Sequence, residues 1–377
     1  MSLFLLFILS IYSAVHLYAF LRIRAAFPFG AMVGILLGLF MAAMVFSPVA
    51  VRILERYGHD YPARLLSYLG YGWMGVLFLF FSISVMLDLW RMCAALAGFM
   101  LRKDLAVLVP GSRIAFIIPL ILALVLAVYG YFSALNIRTE TITMKTPKIP
   151  ASLGGIRIVQ ISDVHLGIIV RKERLTRILS AIRQAEPDIL VSTGDLVDGQ
   201  IDNLSDLADV FNEVSAPYGK YAVTGNHEFY AGLDQALEIT RRAGFRVLRN
   251  EAASGVITIA GVDDPTARQF GLSRGIPEER LLAAVPKDRF TVLLKHQPII
   301  RDGSLGLYDL QLSGHTHKGQ IFPFRFLVRI FFSHLGGWYD LTQGSHLYVS
   351  RGTGTWGPPV RVLSPPEITV IDIVHGR

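Results

Sequence analysis

Four stretches in the N-terminal part of the chain contain no charged side chain, and they limit the possible folds more than any other feature. They are residues 1–21, 25–51, 65–87 and 114–137. Each reaches the roughly 20 residues that an α-helix needs to cross a bilayer, and a single segment can satisfy its backbone in lipid only as a helix. A buried soluble core could explain one such stretch but not four. We therefore predict transmembrane helices at about 3–21, 29–51, 65–89 and 114–135.

The composition agrees with a membrane segment joined to a second domain. Of the 377 residues, 52% are hydrophobic and 17% are charged, which is too apolar for one soluble domain. Cys93 is the only cysteine, so an intrachain disulfide bond is excluded. The net charge of +7 suits a protein beside anionic lipid or one that acts on phosphorylated substrates, although a solvated basic surface would give the same value. We expect no nucleic-acid partner, and the oligomeric state is left open.

Beyond residue 137, five predicted strands each end in a group of Asp, His or Asn residues. The strands are predicted at 156–161, 188–192, 221–224, 290–295 and 308–313. The groups that follow are, in order, Asp163 and His165, Asp195 and Asp198, Asn226 to Glu228, His296, and His315 with His317. In α/β sheets, ligands bind in the crevice outside the carboxyl ends of the strands. Five unrelated polar strand ends would be a rare coincidence, so we predict one ligand site at this edge.

These groups resemble the motifs of the calcineurin-like metallophosphoesterases. The pattern D-x-H, G-D-x-x-D-G, G-N-H-E, a lone His and G-H-T-H occurs in order and in full. The resemblance covers residues 155–377, and the ending is similar to a membrane-anchored bacterial branch with four N-terminal transmembrane helices. It implies an α/β fold, in which the transmembrane helices precede a four-layer α/β/β/α sandwich of two mixed sheets. The implied ranges are a transmembrane domain at 1–137, a linker at 138–154 and a catalytic domain at 155–377.

The resemblance also implies ligands for two divalent metal ions. The first ion would take Asp163, His165, Asp195 and His317. The second ion would take Asp195, Asn226, His296 and His315. Carboxylate and imidazole ligands without cysteine suit Mn²⁺, Fe²⁺ or Zn²⁺. Two metals about 4 Å apart need a shared ligand, and the carboxylate of Asp195 can supply it.

The same resemblance assigns catalytic roles to neighbouring residues. Two cations lower the pKa of a bridging water, so that hydroxide can attack phosphorus in line near neutral pH. His227 is expected to protonate the leaving oxygen and Asp198 to orient His227, unless His227 is only a packed structural residue. Arg351 and Arg325 are candidate substrate-binding residues, although a purely structural hairpin would explain Arg351 equally well.

The segment 321–339 contains seven aromatic residues interleaved with Arg325 and Arg329. It directly follows the His315 and His317 motif. One interpretation is a pair of strands packed on the edge of a sheet. The other is an apolar, basic flap that meets the bilayer and admits an amphiphilic substrate.

Our leading hypothesis is a membrane-anchored, dinuclear metal-dependent phosphohydrolase that cleaves a phosphodiester or pyrophosphate bond. Its partners would be the lipid bilayer and a small or lipid-linked phosphorylated substrate. The enzymatic alternatives are a UDP-diacylglucosamine-type pyrophosphatase and a phosphomonoester or protein phosphatase. A non-catalytic membrane sensor or scaffold would have a degenerate site, whereas the motifs here are complete. A transporter is disfavoured because the predicted spans contain almost no charge.

The distribution of positive charge gives a prediction for the membrane orientation. The loops on the two sides of the predicted helices contain equal numbers of Lys and Arg, so their totals do not decide it. The first helix has positive charge only at its C-terminal flank, on Arg22 and Arg24. We therefore predict an integral protein of a bacterial inner or cell membrane, with the N-terminus outside. After four crossings the catalytic domain would be extracytoplasmic as well.

Overall fold

The computed structural model describes residues 3–199, 204–273 and 275–376, and it divides into two compact units. The first unit contains the chain up to Tyr131 together with Gly357–Val362. The second unit contains Phe132–Trp356 and the chain from Leu363 onward. The predicted linker at 138–154 therefore falls within the second unit.

Long apolar helices form the first unit. Those in the described part of the chain are α1 (Leu3–Ala26), α2 (Ala31–Arg56), α3 (Asp60–Leu101) and α4 (Ser112–Leu135). All of them are long and apolar enough to cross a bilayer. Their outer faces expose large hydrophobic side chains such as Met32, Leu39 and Phe46, a surface that suits lipid rather than water. The prediction of four apolar N-terminal helices is confirmed.

The third helix, α3, is longer than the sequence predicted. It continues past residue 89 because Asp88 and Arg91 interrupt an apolar run without interrupting a helix. It ends where Arg102 adopts a left-handed conformation and the Lys103 N–H donates to the Gly98 carbonyl at 3.0 Å. Its 42 residues measure roughly 63 Å at about 1.5 Å per residue, about twice the thickness of a hydrocarbon core. Part of α3 would therefore lie outside the hydrocarbon.

Two polar contacts join α1 to α3 within this unit. The Trp73 indole N–H donates to Nε2 of the buried His16 at 2.9 Å. Asp88 accepts hydrogen bonds from the Tyr18 hydroxyl at 2.6 Å and from the Arg22 guanidinium at 2.9 Å. Because polar groups without partners are costly in lipid, these pairs favour one register between the two helices.

A short segment from late in the sequence, Gly357–Val362, groups with the helices. The Arg361 N–H donates to the carbonyl of Gly130 on α4 at 2.9 Å. A Cβ at Gly130 would lie 3.0 Å from Val362 Cγ2, so glycine is what permits this approach. Sequence reasoning included the segment in the range 155–377, because six residues are too few to show a hydropathy period.

The second unit is built on β-sheets. Its strands in the described residues are β1 (Arg138–Thr146), β2 (Gly155–Ile161), β3 (Ile189–Ser192), β4 (Lys220–Ala222), β5 (Arg246–Val247), β6 (Glu251–Ser254), β7 (Thr258–Gly261), β8 (Thr291–Leu294), β9 (Leu310–Ser313), β10 (Gly337–Asp340), β11 (His346–Val349) and β12 (Glu367–His375). One sheet has the order β1-β12-β2-β3-β4-β5. The other has the order β10-β11-β9-β8-β7-β6.

Both sheets are mixed, and each contains a run of parallel neighbours. In the first sheet β2 to β5 are parallel, and β12 lies antiparallel to β2. In the second sheet β11, β9, β8 and β7 are parallel, with antiparallel strands at both edges. A parallel run brings its carboxyl ends to one edge, where ligand crevices form. The prediction of an α/β unit with two mixed sheets is confirmed.

Alternating residues of the strands fill two cores. Ile156 and Ile158 on β2 pack into the core shared by the two sheets, whereas Val159 and Ile161 pack beneath a layer of helices. Full burial of each such side chain contributes about 1.5–3 kcal/mol. The helices of this unit are α5 (Lys172–Gln184), α6 (Ser205–Asn212), α7 (Asn226–Ala231), α8 (Leu233–Arg242), α9 (Thr266–Gln269), α10 (Glu278–Ala283) and α11 (Arg325–Phe331).

The predicted linker contains a strand of the first sheet. Arg138–Thr146 forms β1, which pairs in parallel with β12 along its whole length. The strand is at the edge of the sheet and only its last residues are buried. Its polar composition follows from that position, because an edge strand needs no continuous apolar run. Residues 138–146 therefore contribute to the sheet that presents the site.

Candidate active site

The predicted ligands follow the carboxyl ends of parallel strands in both sheets. Asp163 and His165 follow β2, and Asp195 follows β3. Asn226 begins α7 directly after β4. In the second sheet, His296 follows β8, and His315 and His317 follow β9. The structure thus brings residues that are more than 150 positions apart in the sequence to one place.

One group of side chains consists of Asp163, His165 and His317, all buried. The Nε2 atoms of His165 and His317 lie 3.2 Å apart. His317 Nε2 lies 3.3 Å from Asp163 Oδ1. Candidate ligand atoms of all three residues fall within 4.8 Å of one another. Two imidazole nitrogens and a carboxylate that converge in this way fit a divalent cation.

A second group consists of Asp195, His296 and His315. His296 Nε2 lies 3.1 Å from Asp195 Oδ2 and 3.1 Å from His315 Nδ1. The Asn226 side-chain oxygen is 3.2 Å from the same His296 nitrogen. Asp195 Oδ2 is also 3.9 Å from His165 Nε2 in the first group. The carboxylate of Asp195 therefore lies between the two groups.

The backbone of the ligands is strained. Five of the seven have a positive φ, which costs non-glycine residues of order 1–3 kcal/mol each. They are Asp163 (51°), His165 (52°), Asp195 (51°), His315 (71°) and His317 (48°). Such conformations persist where the surrounding structure imposes them, and they concentrate at functional sites. Local stability alone would not favour this arrangement.

Two glycines allow the ligand loops to approach one another. A Cβ at Gly225 would lie 2.1 Å from Asp195 Oδ1, and a Cβ at Gly314 would lie 2.3 Å from Asp163 Oδ2. Both distances are far below van der Waals contact. Glycine at these positions is therefore a condition for the carboxylates to occupy their places.

Glu228 connects the loops of the first sheet. Its buried carboxylate accepts the N–H groups of Gly225 at 2.7 Å, Leu196 at 2.7 Å and Asp195 at 3.1 Å. These bonds join the loop before Asn226 to the loop that contains Asp195. Sequence reasoning gave Glu228 no firm role. The adjacent G-D and G-N-H-E motifs indicated a site, but not that a carboxylate would fix their loops together.

The pKa values of the predicted histidine ligands are shifted in different directions. Burial opposes the charged form of His296, but Asp195 outweighs it and raises that pKa well above the usual value, so a cation would have to displace a proton there. Burial and the neighbouring His227 lower the pKa of His165 to about 3, and burial and His296 lower the pKa of His315 to about 3. Both imidazoles are therefore neutral at pH 7 and have a nitrogen lone pair available. Burial opposes the charged form of Asp195, but the His296 and His227 imidazoles hold its pKa well below the usual range.

His227 lies beside the first group, and Asp198 orients its imidazole ring through Nδ1. His227 Nδ1 is 2.8 Å from Asp198 Oδ1, and its ring centroid is 4.7 Å from that of His165. Burial opposes the charged imidazole, but the carboxylates of Asp195 and Asp198 outweigh it and raise the pKa of His227 to about 9. An imidazole that keeps its proton at neutral pH can act as a general acid. His227 also lies within 4.8 Å of His165 and Asp195, counted between possible ligand atoms.

The two arginines considered for substrate binding contact other parts of the unit. The Arg351 guanidinium pairs with Glu140 on β1 and Glu367 on β12. The Arg325 guanidinium lies over the rings of Phe322 and Phe326, 5.0 and 5.3 Å from their centroids. Substrate binding by Arg351 and Arg325 stays a prediction.

Comparison with known proteins identifies the family. The profile of the calcineurin-like phosphoesterases matches residues 156–319. A metallophosphoesterase of Aquifex aeolicus is 40% identical over 255 residues, which cover 67% of this chain and 97% of that protein. The chain belongs to the calcineurin-like metallophosphoesterase family. It is therefore a metal-dependent phosphoesterase, with clustered Asp and His side chains that can bind metal.

Two further metallophosphoesterases extend the similarity. One from Campylobacter jejuni is 34% identical over 260 residues, covering 66% of this chain and 68% of that protein. A transmembrane protein with a metallophosphoesterase domain from Danio rerio is 34% identical over 275 residues, covering 69% of this chain and 63% of that protein. With its own four apolar helices, this chain is a membrane metallophosphoesterase.

Proposed function

We propose that this metallophosphoesterase uses two divalent ions, Mn²⁺, Fe²⁺ or Zn²⁺, to cleave a phosphodiester or pyrophosphate bond. The position of Asp195 between two groups of imidazoles, all buried except the half-buried His315, supports this most strongly. A carboxylate in that position can bind two cations at once. One ion would be bound by Asp163, His165, Asp195 and His317, and the other by Asp195, Asn226, His296 and His315.

When bound, the two ions supply Lewis acidity toward water and toward the phosphate oxygens. The protein residues supply the geometry and the proton. Asp163 and Asp195 offset the charge of the cations, and Glu228 keeps the loop of Asp195 against that of Asn226. His227 donates a proton to the leaving oxygen while Asp198 holds its Nδ1 side.

We also propose that the substrate carries a lipid. The segment 321–339 contains α11 followed by β10 rather than only a pair of strands, and we propose that it acts as a flap. Its outer side exposes Phe326 to 57% and Phe331 to 79%. Its inner side reaches the site, because the ring of Phe332 lies 4.9 Å from that of His315. An apolar surface that continues to a metal ligand supports an amphiphilic substrate.

A screen of substrate classes on the full-length protein tests the proposed reaction. The protein is purified in detergent, reconstituted with Mn²⁺, Fe²⁺ or Zn²⁺ and given three substrates. These are a bis-aryl phosphodiester, an aryl phosphomonoester and a lipid pyrophosphate. We expect faster hydrolysis of the diester or the pyrophosphate than of the monoester. A preference for the monoester would support the phosphatase alternative, and no hydrolysis with any metal would contradict the proposal.

Replacing Phe324, Phe326 and Phe331 together with Ser tests the lipid-bearing substrate. The variant removes apolar area that would contact the acyl chains, so kcat/KM for a lipid-bearing substrate should fall about tenfold or more. Hydrolysis of a small soluble diester should fall much less. Tyr218→Ser, an exposed aromatic away from the flap, serves as the control. Equal loss on both substrates would indicate a packed structural hairpin instead.

The side of the membrane is a separate proposal. The positive flank of the first helix at Arg22 and Arg24 favours a catalytic unit outside the cytoplasm. A phosphatase reporter that is active only outside the cytoplasm, fused after the last residue, should be active. A reporter that is active only in the cytoplasm should be silent at the same position. The reverse pattern would place the catalytic unit on the cytoplasmic side.

A further inference from the structure

Three half-exposed aromatic side chains lie beside His227, and we call them the aromatic rim. They are Tyr230 (55% exposed), Phe270 (49%) and Trp356 (52%). The His227 ring is 5.6 Å from that of Tyr230 and 6.1 Å from that of Trp356, measured between centroids. Phe270 extends the rim from Tyr230, with centroids 6.2 Å apart. None of these residues has a role in the proposed reaction described above.

Two hydrogen bonds to the Gln320 side chain fix the backbone of Trp356. Its N–H donates to the Gln320 side-chain oxygen at 3.0 Å, and its carbonyl accepts from the Gln320 side-chain nitrogen at 2.8 Å. The Gln320 N–H in turn donates to the carbonyl of His317, one of the predicted ligands, at 2.9 Å. The backbone of Trp356 is therefore held at a set position relative to His317, while half of the side chain stays exposed.

Tyr230 is positioned by the helix α7. It lies one helical turn after Asn226 on α7, and its ring contacts those of His227 and Phe270. Phe270 ends α9, where its N–H donates to the Thr266 carbonyl at 3.2 Å. Single exposed aromatics are ordinary on protein surfaces. These differ because Tyr230 and Trp356 both flank the proposed proton donor. The backbone of Trp356 is also connected through Gln320 to His317, a predicted metal ligand.

We propose that the aromatic rim binds a flat ring in the leaving group of the substrate, either a nucleobase or the face of a sugar. This rests on the proposed function, in which water adds to phosphorus, the bond from phosphorus to the leaving oxygen breaks, and His227 gives that oxygen its proton. The group bonded to the leaving oxygen must then lie beside His227 and thus beside Tyr230 and Trp356. Aromatic faces bind bases and sugars by stacking, and rings held in advance lose little entropy on binding.

Two methyl phosphodiesters test this inference. In one the second alcohol is thymidine, joined through its 5′ oxygen, and in the other it is glycerol; both are primary alcohols. The full-length, metal-loaded protein should release thymidine and methyl phosphate, rather than methanol and thymidine 5′-phosphate. Trp356→Leu should lower the ratio of kcat/KM for the thymidine diester to that for the glycerol diester about tenfold or more. Trp356→Phe, which keeps a flat ring, should preserve most of the ratio.

Tyr218→Leu, which removes an exposed aromatic outside the rim, should leave the ratio at the wild-type value. A third diester, with glucose joined through its 6-oxygen, distinguishes a sugar face from a base. Its kcat/KM is also divided by that of the glycerol diester. Trp356→Leu should lower the glucose ratio more if the rim binds a sugar, and the thymidine ratio more if it binds a base. If the diesters are hydrolysed but Trp356→Leu leaves both ratios unchanged, or methanol is the leaving group, the inference is wrong and the proposed function stands. If wild-type protein hydrolyses no diester with any metal, the inference is wrong, and the proposed function is wrong as well if the lipid pyrophosphate is also not hydrolysed.

Discussion

Asp195→Asn is expected to abolish binding of both metal ions and to lower turnover by about 10³-fold or more. The substitution keeps the size of the side chain but removes the negative charge that lies between His165 and His296. Neither group of imidazoles then has enough negative charge to offset a divalent cation. The measurements are metal content per chain and kcat for a soluble phosphodiester.

Asp209→Asn is the matched control for this experiment. Asp209 is exposed and pairs with Arg242 on the surface of the catalytic unit, so metal content and kcat should stay at wild-type values. If Asp195→Asn retains two metals and full activity, Asp195 is not a shared ligand. Loss of one metal only would assign Asp195 to a single ion.

His227→Ala is expected to lower turnover by about 10²–10⁴-fold while metal content stays intact. The alanine removes the proton donor but leaves the ligands in place. Substrates with very good leaving groups should lose less, because their leaving oxygen needs no proton. His346→Ala, at a half-buried position on β11 beside Asp340, is the control. Loss of metal in His227→Ala would show that His227 is a ligand. The measurement decides this because His227 lies close enough to His165 and Asp195 to share a metal ion with them.

The pH profile gives His227 a second signature. Burial opposes its charged form, but Asp195 and Asp198 raise its pKa to about 9. Metal ions bound at Asp195 would offset part of its negative charge and bring the pKa of His227 below this value. The acid form of His227 is lost as the pH rises through the lowered pKa. Turnover should fall on the alkaline side in the wild type, and this fall should be absent from the residual activity of His227→Ala. An unchanged alkaline limb in the variant would assign the titration to another group.

Much of the site could be predicted because its ligands follow short strands in fixed motifs. Asp163, Asp195 and His296 each follow an apolar run, and the parallel order of the strands brings such ends together. The fold class could be predicted for the same reason. The residues that support these ligands could not. Glu228 acts on backbone N–H groups, which leave no sequence pattern, and Trp356 reaches His227 only through the fold.

The boundaries of the elements were predicted less well than their presence. The apolar run predicts where a helix can cross lipid, whereas α3 continues until a left-handed residue ends it at Arg102. β1 is polar because it is an edge strand, so the sequence analysis included it in a linker. The grouping of Gly357–Val362 with the helices depends on long-range contacts that no local period indicates. Local pattern therefore predicts elements, and tertiary contacts determine where they end.

The most direct test of the central claim is electron paramagnetic resonance of the full-length protein loaded with Mn²⁺, together with its metal content. Two ions that share the Asp195 carboxylate should interact magnetically. We predict two Mn²⁺ per chain and the spectrum of an exchange-coupled pair, which Asp195→Asn should abolish. One Mn²⁺ per chain, or two with the spectra of isolated ions, would contradict a shared dinuclear centre.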